Sequence, residues 1–276
     1  MTNNYEFNED LTRIGPRGTY NDYKDSTATA AGSVAHAPRA VAFDGLLRNK
    51  ILTGLPGSDF ARLLPHLEPV EIAADENLYF LGDSPEFVYF PEKAIVSHLH
   101  VLSDGGTIET DMVGRDGLTG LSAVFNSHPP ERWTKVIVGG SALRVRAEVM
   151  RQEFSLGGGL QQALLTYASA RLAQVAQRAV CNGLHTVEQR FCSWLLMLHD
   201  RAGDERLLLT HERIARQLGT RRAGITELAT SLRARGHISY SRGLIHIVNQ
   251  DGLEASACEC YRLQGRLRAR CSIVDV

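Results

Sequence analysis

The chain has 276 residues, 43% of them hydrophobic and 22% charged, and a formal net charge of −1. That is enough apolar material for ordinary buried cores, most naturally divided between two domains, and it excludes a wholly disordered chain. No window is long and apolar enough to span a bilayer, and the opening MTNNYEFNED has neither the basic nor the apolar region of a secretory signal. A cytoplasmic protein with no membrane partner is therefore expected.

Residues 1–42 are rich in Asn, Asp, Thr, Ala and Gly and have little periodicity, so they read as a mobile N-terminal arm. Acids and bases nearly cancel there, which argues against a basic arm for nucleic acid. From Phe43 to Leu67, Leu46, Leu47, Ile51, Leu55, Phe60, Leu63 and Leu64 predict two short helices split at Leu55-Pro56-Gly57. The period then becomes two. β-prone runs follow at Val70–Ile72, Asn77–Phe80, Phe87–Phe90, Ile95–Leu102, Thr107–Val113, Leu118–Ala123, Trp133–Val138 and Ala142–Arg146, with turn residues between them. Many short strands at near-regular spacing predict a sandwich or jelly-roll domain over 43–156. His98 and His100, two apart on one strand, resemble half of a cupin metal site. Ser103-Asp104 stand where such a site needs its Glu, so half-exposed strand histidines are expected instead.

Gly157-Gly158-Gly159 reads as a hinge, and a helix over 157–183 follows. Leu165, Ala168, Leu172, Val175 and Ala179 fall at spacings of three and four, an a/d seam. Leu160, Leu164 and Tyr167 form a second stripe. One stripe can pack on the roll and the other on a twin helix, which predicts a homodimer. A helix over His185–His199 then opens the C-terminal domain, 184–262, with Cys192 and Trp194 as core.

In THERIARQLGTRRAGITELATSL, Ile214 and Leu218 lie on one helical face, and Ile225, Leu228 and Leu232 on another. Gly219 between them can take the positive φ of a sharp turn, Ala215 allows a close crossing, and Thr210 and Thr220 can N-cap the two helices. From Thr210 to Arg242 there are seven arginines against two glutamates, so positive charge is concentrated in a chain that is acidic elsewhere. Gly236 should end the second helix. His237–Tyr240 and Leu244–Val248 then read as a hairpin around Ser241-Arg242-Gly243. Residues 263–276 are left as a tail.

The cysteines are Cys181, Cys192, Cys258, Cys260 and Cys271, odd in number and irregular in spacing, so free thiols are the default. Cys258-x-Cys260 lacks a second pair or a histidine at finger spacing, and no metal is expected.

The helix-turn-helix with its basic wing, TxxRIARQLGTRRAGITELATSLRARGHISYSRGLIHIVN, resembles the DNA-binding domain of the CRP/FNR family of bacterial transcription regulators. With the roll and the long helix before it, the resemblance covers roughly residues 43–262. It implies an α+β chain: a cyclic-nucleotide-binding-like jelly roll, a dimerisation helix and a winged helix-turn-helix. It also implies a non-enzymatic homodimer reading palindromic double-stranded DNA, with RNA polymerase as a further partner. Arg222 aligns with the family's base-reading arginine; Arg221 and Thr226 share its face, Thr220 caps the same helix, and Thr210, His211, Ser241 and Arg242 would meet phosphate. The acid that follows that arginine in the cyclic-nucleotide members is Ala223 here, so the target sequence should differ. The family's phosphate-binding cassette needs an Arg-Ser or Arg-Thr pair, but after Gly114-Arg115-Asp116-Gly117-Leu118-Thr119-Gly120 the arginines read Arg132-Trp133, Arg144-Val145 and Arg146-Ala147. A cyclic nucleotide is therefore not the expected effector, and no cofactor is expected beyond an unidentified small molecule. No cysteine precedes Cys181, which closes the iron–sulfur route; a haem sensor stays open, with His66, His98, His100 and His128 as histidines for it. A cupin-like metalloenzyme and a non-DNA interaction protein are the rival readings.

Overall fold

The computed structural model describes residues 39–40, 47–103, 105–125, 132–202 and 207–270. Most of the expected arm, together with Leu46, Asp104, His128 and Cys271, lies outside them. Arg39–Ala40, the end of that arm, form a short strand, β1, paired antiparallel with β2 (Glu68–Ile72). Two short helices, α1 (Lys50–Thr53) and α2 (Gly57–Leu63), break at Leu55-Pro56 as predicted, and a 3-10 turn covers Leu64–His66. Asn49 caps α1, its side chain accepting from the Ile51 and Leu52 amides.

The roll comprises β2, β3 (Asn77–Tyr79), β4 (Phe87–Pro91), β5 (Ile95–Val101), β6 (Thr107–Val113), β7 (Trp133–Val138) and β8 (Gly140–Arg146). They form two antiparallel sheets, ordered β1-β2-β8-β4 and β3-β7-β5-β6. Val70, Ile72, Tyr79, Tyr89, Val96 and Val136 cluster in a buried core of the roll. The expected strand Leu118–Ala123 is absent. Only Thr119 bridges to Tyr89, and Leu121–Val124 form a helical turn, α3. The cause is Gly120, whose φ of +95° turns the chain, and whose missing Cβ would lie 2.9 Å from the Phe87 carbonyl oxygen.

After α4 (Ala147–Ser155), the long helix α5 runs Gly158–Leu184. Of the glycines at its start, Gly157 and Gly158 turn the chain at positive φ and Gly159 is required by packing. A Cβ on Gly159 would sit 2.4 Å from the Pro56 ring, and the Asp59 carboxylate accepts from the Leu160 amide at 2.8 Å. Leu160, Leu164, Tyr167, Arg171, Gln174, Arg178 and Cys181 repeat at alternate spacings of four and three, and all are buried. That stripe begins apolar, on the roll core, and ends polar. Of the predicted dimer seam, Leu165 (47% exposed), Leu172 (73%) and Ala179 face solvent; Ala168 and Val175 are half-buried.

The C-terminal domain comprises α6 (Val187–Ala202), β9 (Leu207–Leu208), α7 (His211–Leu218), α8 (Arg222–Ala234), β10 (Ile238–Ser241), β11 (Leu244–Ile247), α9 (Gln250–Ser256) and α10 (Cys260–Arg270). Strand β9, not foreseen, adds a third strand to the wing, and α10 runs on into the expected tail. Phe191, Trp194, Leu195, Ile214, Leu218, Ile225, Leu232 and Ile245 make one core with Ile95, Met112 and Ile137 of the roll's second sheet. The two domains therefore share buried surface.

Candidate nucleic-acid interface

Helix α7 starts on Thr210, whose Oγ1 accepts from the Arg213 amide at 3.2 Å. It ends at Gly219, left-handed at φ +59° as the sequence requires. Thr220 does not cap the next helix; its amide turns back to the Ala215 carbonyl. The N-cap of α8 is Arg221, and no side chain caps the first turn, so the leading amides of α8 point outward without a side-chain acceptor. At the other end, Gly236 N–H bonds to Arg233 O and His237 N–H to Leu232 O, with Gly236 at φ +74°: a Schellman stop.

Helix α8 buries Ile225, Ala229 and Leu232 and exposes Arg221, Arg222, Ala223, Thr226, Thr230 and Arg233. Among the described residues, Arg221, Arg222 and Arg242 make no ion pair. Three of the other four arginines of the region are paired: Arg213 faces Asp75 at 3.4 Å and donates to the Ile137 carbonyl, Arg216 pairs with Glu212, and Arg235 with Glu188. The usable charge is thus narrower than the count of seven suggests, and it lies on the outer stripe of α8, from Arg221 and Arg222 to Arg233, and at the wing tip. Arg233, on the same exposed face, was not singled out by sequence; its place on the outer stripe of α8 was the available signal.

His211 is held, not free. Its Nδ1 lies 2.9 Å from Thr226 Oγ1, and its ring stacks on Tyr240 with centroids 4.4 Å apart. Burial and the neighbouring Arg222 push its pKa below the ordinary value, so it stands neutral and ties α7, α8 and the wing together. The wing turn has both central residues at positive φ, Arg242 at 49° and Gly243 at 81°, the geometry of a type I′ hairpin. Ser241 and Arg242 are exposed at its tip.

This helix-turn-helix is seated on the roll. Thr107 Oγ1 donates to the Arg216 carbonyl at 3.1 Å, and Gly219 faces the Ile108 side chain. Beneath α7, buried Glu109 accepts from Arg178 (3.0 Å) and from the Trp194 indole (3.0 Å). Ser97 Oγ lies 2.8 Å from Glu109 and 2.9 Å from Gln217 of α7. Burial pushes Glu109 up, opposed by Arg178, Ser97 and Trp194. Trp194, expected only as core, is thus also a polar partner. Nearby, Arg171 pairs with Asp111 and donates to the Met112 carbonyl, and Arg201 pairs with Asp116 at 3.1 Å.

The two strand histidines are not both half-exposed as expected. His98 is buried, with Nδ1 3.3 Å from Asp111 and Nε2 2.9 Å from Thr119, whereas His100 is exposed; a bulge at His98/Leu99 shifts the register between them. Burial, then Arg132 and Arg171, push His98 well below its ordinary pKa. Beside Cys258-x-Cys260, which has no second pair in the nearby sequence, the end of α5 places Cys181 and His185.

Residues 189–256 match the family model described as a Crp-like helix-turn-helix domain. The chain also resembles solved structures: a regulator assigned to the Crp/Fnr family from Eubacterium rectale (18% identity, TM-score 0.61, 77% of this chain and 97% of that one) and FixK2 from Bradyrhizobium japonicum (17%, 0.60, 70% and 98%). TTHA1359, a Crp/Fnr-family transcriptional regulator from Thermus thermophilus, is similar at 19% identity and TM-score 0.57, over 69% of this chain and 98% of that one. At such identities the likeness is one of fold. No curated protein sequence matches the chain.

Proposed function

We propose that this chain, whose reader matches a Crp-like helix-turn-helix and whose fold is that of Crp/Fnr regulators, is a homodimeric, sequence-specific DNA-binding transcription regulator. The observation that carries the reading is the outer face of α8. Exposed, unpaired Arg221 and Arg222 stand at a helix start whose amides no side chain caps, beside an exposed wing arginine. A helix N-terminus and free guanidiniums together suit phosphate and base edges. Arg222 would take guanine O6 and N7 as a bidentate pair, with Thr226 beside it, while Thr210, Ser241 and Arg242 would hold backbone phosphate. His211 would position Thr226 and not act as a cation.

Dimerisation through Leu165, Ala168, Leu172, Val175 and Ala179 would set two α8 helices about 34 Å apart, one turn of DNA, on a palindrome. Support comes from the division of α5: one stripe is buried on its own chain and this one is left exposed or half-exposed. Control would come from the roll, whose second sheet carries the Glu109 network under α7. The effector would not be a cyclic nucleotide. In the Gly114–Gly120 loop Arg115 is exposed, and the largely buried charge is the carboxylate of Asp116, already paired with Arg201.

Genome-wide mapping of bound DNA, followed by duplex titration at several salt concentrations, tests the reading. A palindromic motif and a steep salt dependence are expected; scattered, sequence-indifferent occupancy would overturn it.

A further inference from the structure

At the C-terminal end of α5, four potential metal ligands converge. Cys181 lies on the last turn of the helix and His185 is the residue that ends it; Cys258 and Cys260 flank Glu259 where α9 passes into α10. Their ligand atoms all lie within 4.8 Å of one another, and the three cysteines are buried, at 3%, 4% and 2% exposure. Three thiols packed together would also be consistent with small apolar residues filling a core. The geometry argues for more than that.

A tetrahedral zinc bound by thiolate and imidazole has S···S edges of about 3.8 Å and S···N edges of about 3.6 Å, from bond lengths of about 2.3 and 2.0–2.1 Å. Cys181 Sγ and Cys258 Sγ are 3.6 Å apart, and Cys260 Sγ and His185 Nδ1 are 3.5 Å apart. Two opposite edges of the tetrahedron thus already stand at their required length, and the remaining edges need to close by no more than about 1 Å. The surroundings fit as well. The Gln177 amide donates to Cys260 Sγ at 3.1 Å, and Ser193 Oγ lies 3.1 Å from Cys258 Sγ, so two of the three sulfurs have a polar group beside them to stabilise a thiolate. His185 Nε2, the nitrogen turned away from the cluster, is 3.4 Å from the Glu259 carboxylate, the partner that fixes the tautomer of a metal-bound imidazole.

We propose that Cys181, His185, Cys258 and Cys260 form a closed Cys3His site for a structural zinc ion, clamping the end of the long helix to the segment that follows the wing. Two thiol- and imidazole-bearing segments, 73 or more residues apart in sequence, are joined by it. Three soft thiolates and one imidazole select zinc over calcium or magnesium. Four protein ligands leave no open coordination position, so the site is structural and not catalytic. Since the bridged segments are the helix proposed as the dimer seam and the tail of the reader, zinc would also fix the reader's orientation; that part rests on the function proposed above.

The test is elemental analysis of the full-length protein, expressed untagged and purified without added metal. The expected result is zinc at about one ion per chain, absent from the Cys258→Ser/Cys260→Ser double variant. Because that variant could fail to fold, the wild-type protein is also stripped by chelation under reducing conditions and refilled with Co2+, whose visible bands should be those of a tetrahedral thiolate site. Glu259→Gln should retain zinc but lose it to a competing chelator at about 10- to 100-fold lower chelator concentration. A metal-free, folded wild-type protein, a Cys181–Cys258 disulfide found by mass, iron with sulfide in place of zinc, or full zinc retention in the double variant would each overturn the proposal. Metal content is read without DNA. Stoichiometric zinc in a protein that binds no duplex would therefore sink the DNA reading and leave the site standing.

Discussion

Glu109→Ala should be among the costliest single changes in this chain. The carboxylate is 1% exposed, and it accepts from the Arg178 guanidinium and the Trp194 indole, both at 3.0 Å, with Ser97 Oγ at 2.8 Å. Truncation leaves the buried Arg178 charge without its partner and the indole N–H without an acceptor. Removing one member of a buried pair costs about 3–5 kcal/mol, and an orphaned donor adds roughly 1–3, relieved in part if water enters the space. A loss of about 4–6 kcal/mol follows, to be read as a fall in the urea midpoint at unchanged m-value. Replacing Arg178 by Met as well should restore part of the loss, giving a coupling of at least about 2 kcal/mol in the double-mutant cycle. If Glu109→Ala shifts stability by less than about 1 kcal/mol, or the two changes simply add, the network does not hold the domains together as argued.

Arg222→Ala should weaken the preferred duplex by about 1–3 kcal/mol and relax its sequence preference, whereas Arg242→Ala should weaken all duplexes alike; competition titrations separate the two. Leu172→Glu should convert a dimer to a folded monomer in sedimentation analysis, because this side chain is 73% exposed on the isolated chain and makes no core contact there to lose. Gly117→Ala should destabilise by about 1–3 kcal/mol in thermal or urea unfolding, since its Cβ would fall 2.4 Å from the Tyr167 hydroxyl, which bonds to both the amide and the carbonyl of Leu118. His98, held neutral by burial and by Arg132 and Arg171, has a depressed folded pKa. Its stabilising contribution is present above the unfolded value of about 6.5 and is lost as pH falls toward the folded one. His98→Gln should flatten that acid limb in a series of melts against pH.

The reader was legible in sequence because its signals are local. Thr210, Gly219, Gly236 and the Arg242-Gly243 turn each act through their own dihedrals or nearest amides, and each takes the expected conformation. The roll was legible by period, except where one glycine overrode it: Gly120 turns the Leu118–Ala123 run out of the sheet. Long-range pairings carried no such signal. Nothing in the spacing of Ser97, Glu109, Arg178, Trp194 and Gln217 announces a shared buried network, and Cys181 and His185 reach Cys258 and Cys260 only through packing of α5 against α10. The role of Gly159 was hidden for a related reason, because its close approach to Pro56 and Asp59 is set by packing and not by local composition.

The buried stripe of α5 changes character along its length, from Leu160, Leu164 and Tyr167 to Arg171, Gln174 and Arg178. A greased rod could slip along its bearing, but this one is keyed. Advancing it by one turn, about 5.4 Å, would drive Arg171 toward the seat of Tyr167 and strand two guanidiniums away from Asp111 and Glu109, at several kcal/mol each. In any rearrangement of the chain, the axial register of this helix should stay fixed, and the motion open to it is a tilt or a twist pivoting about the keyed half.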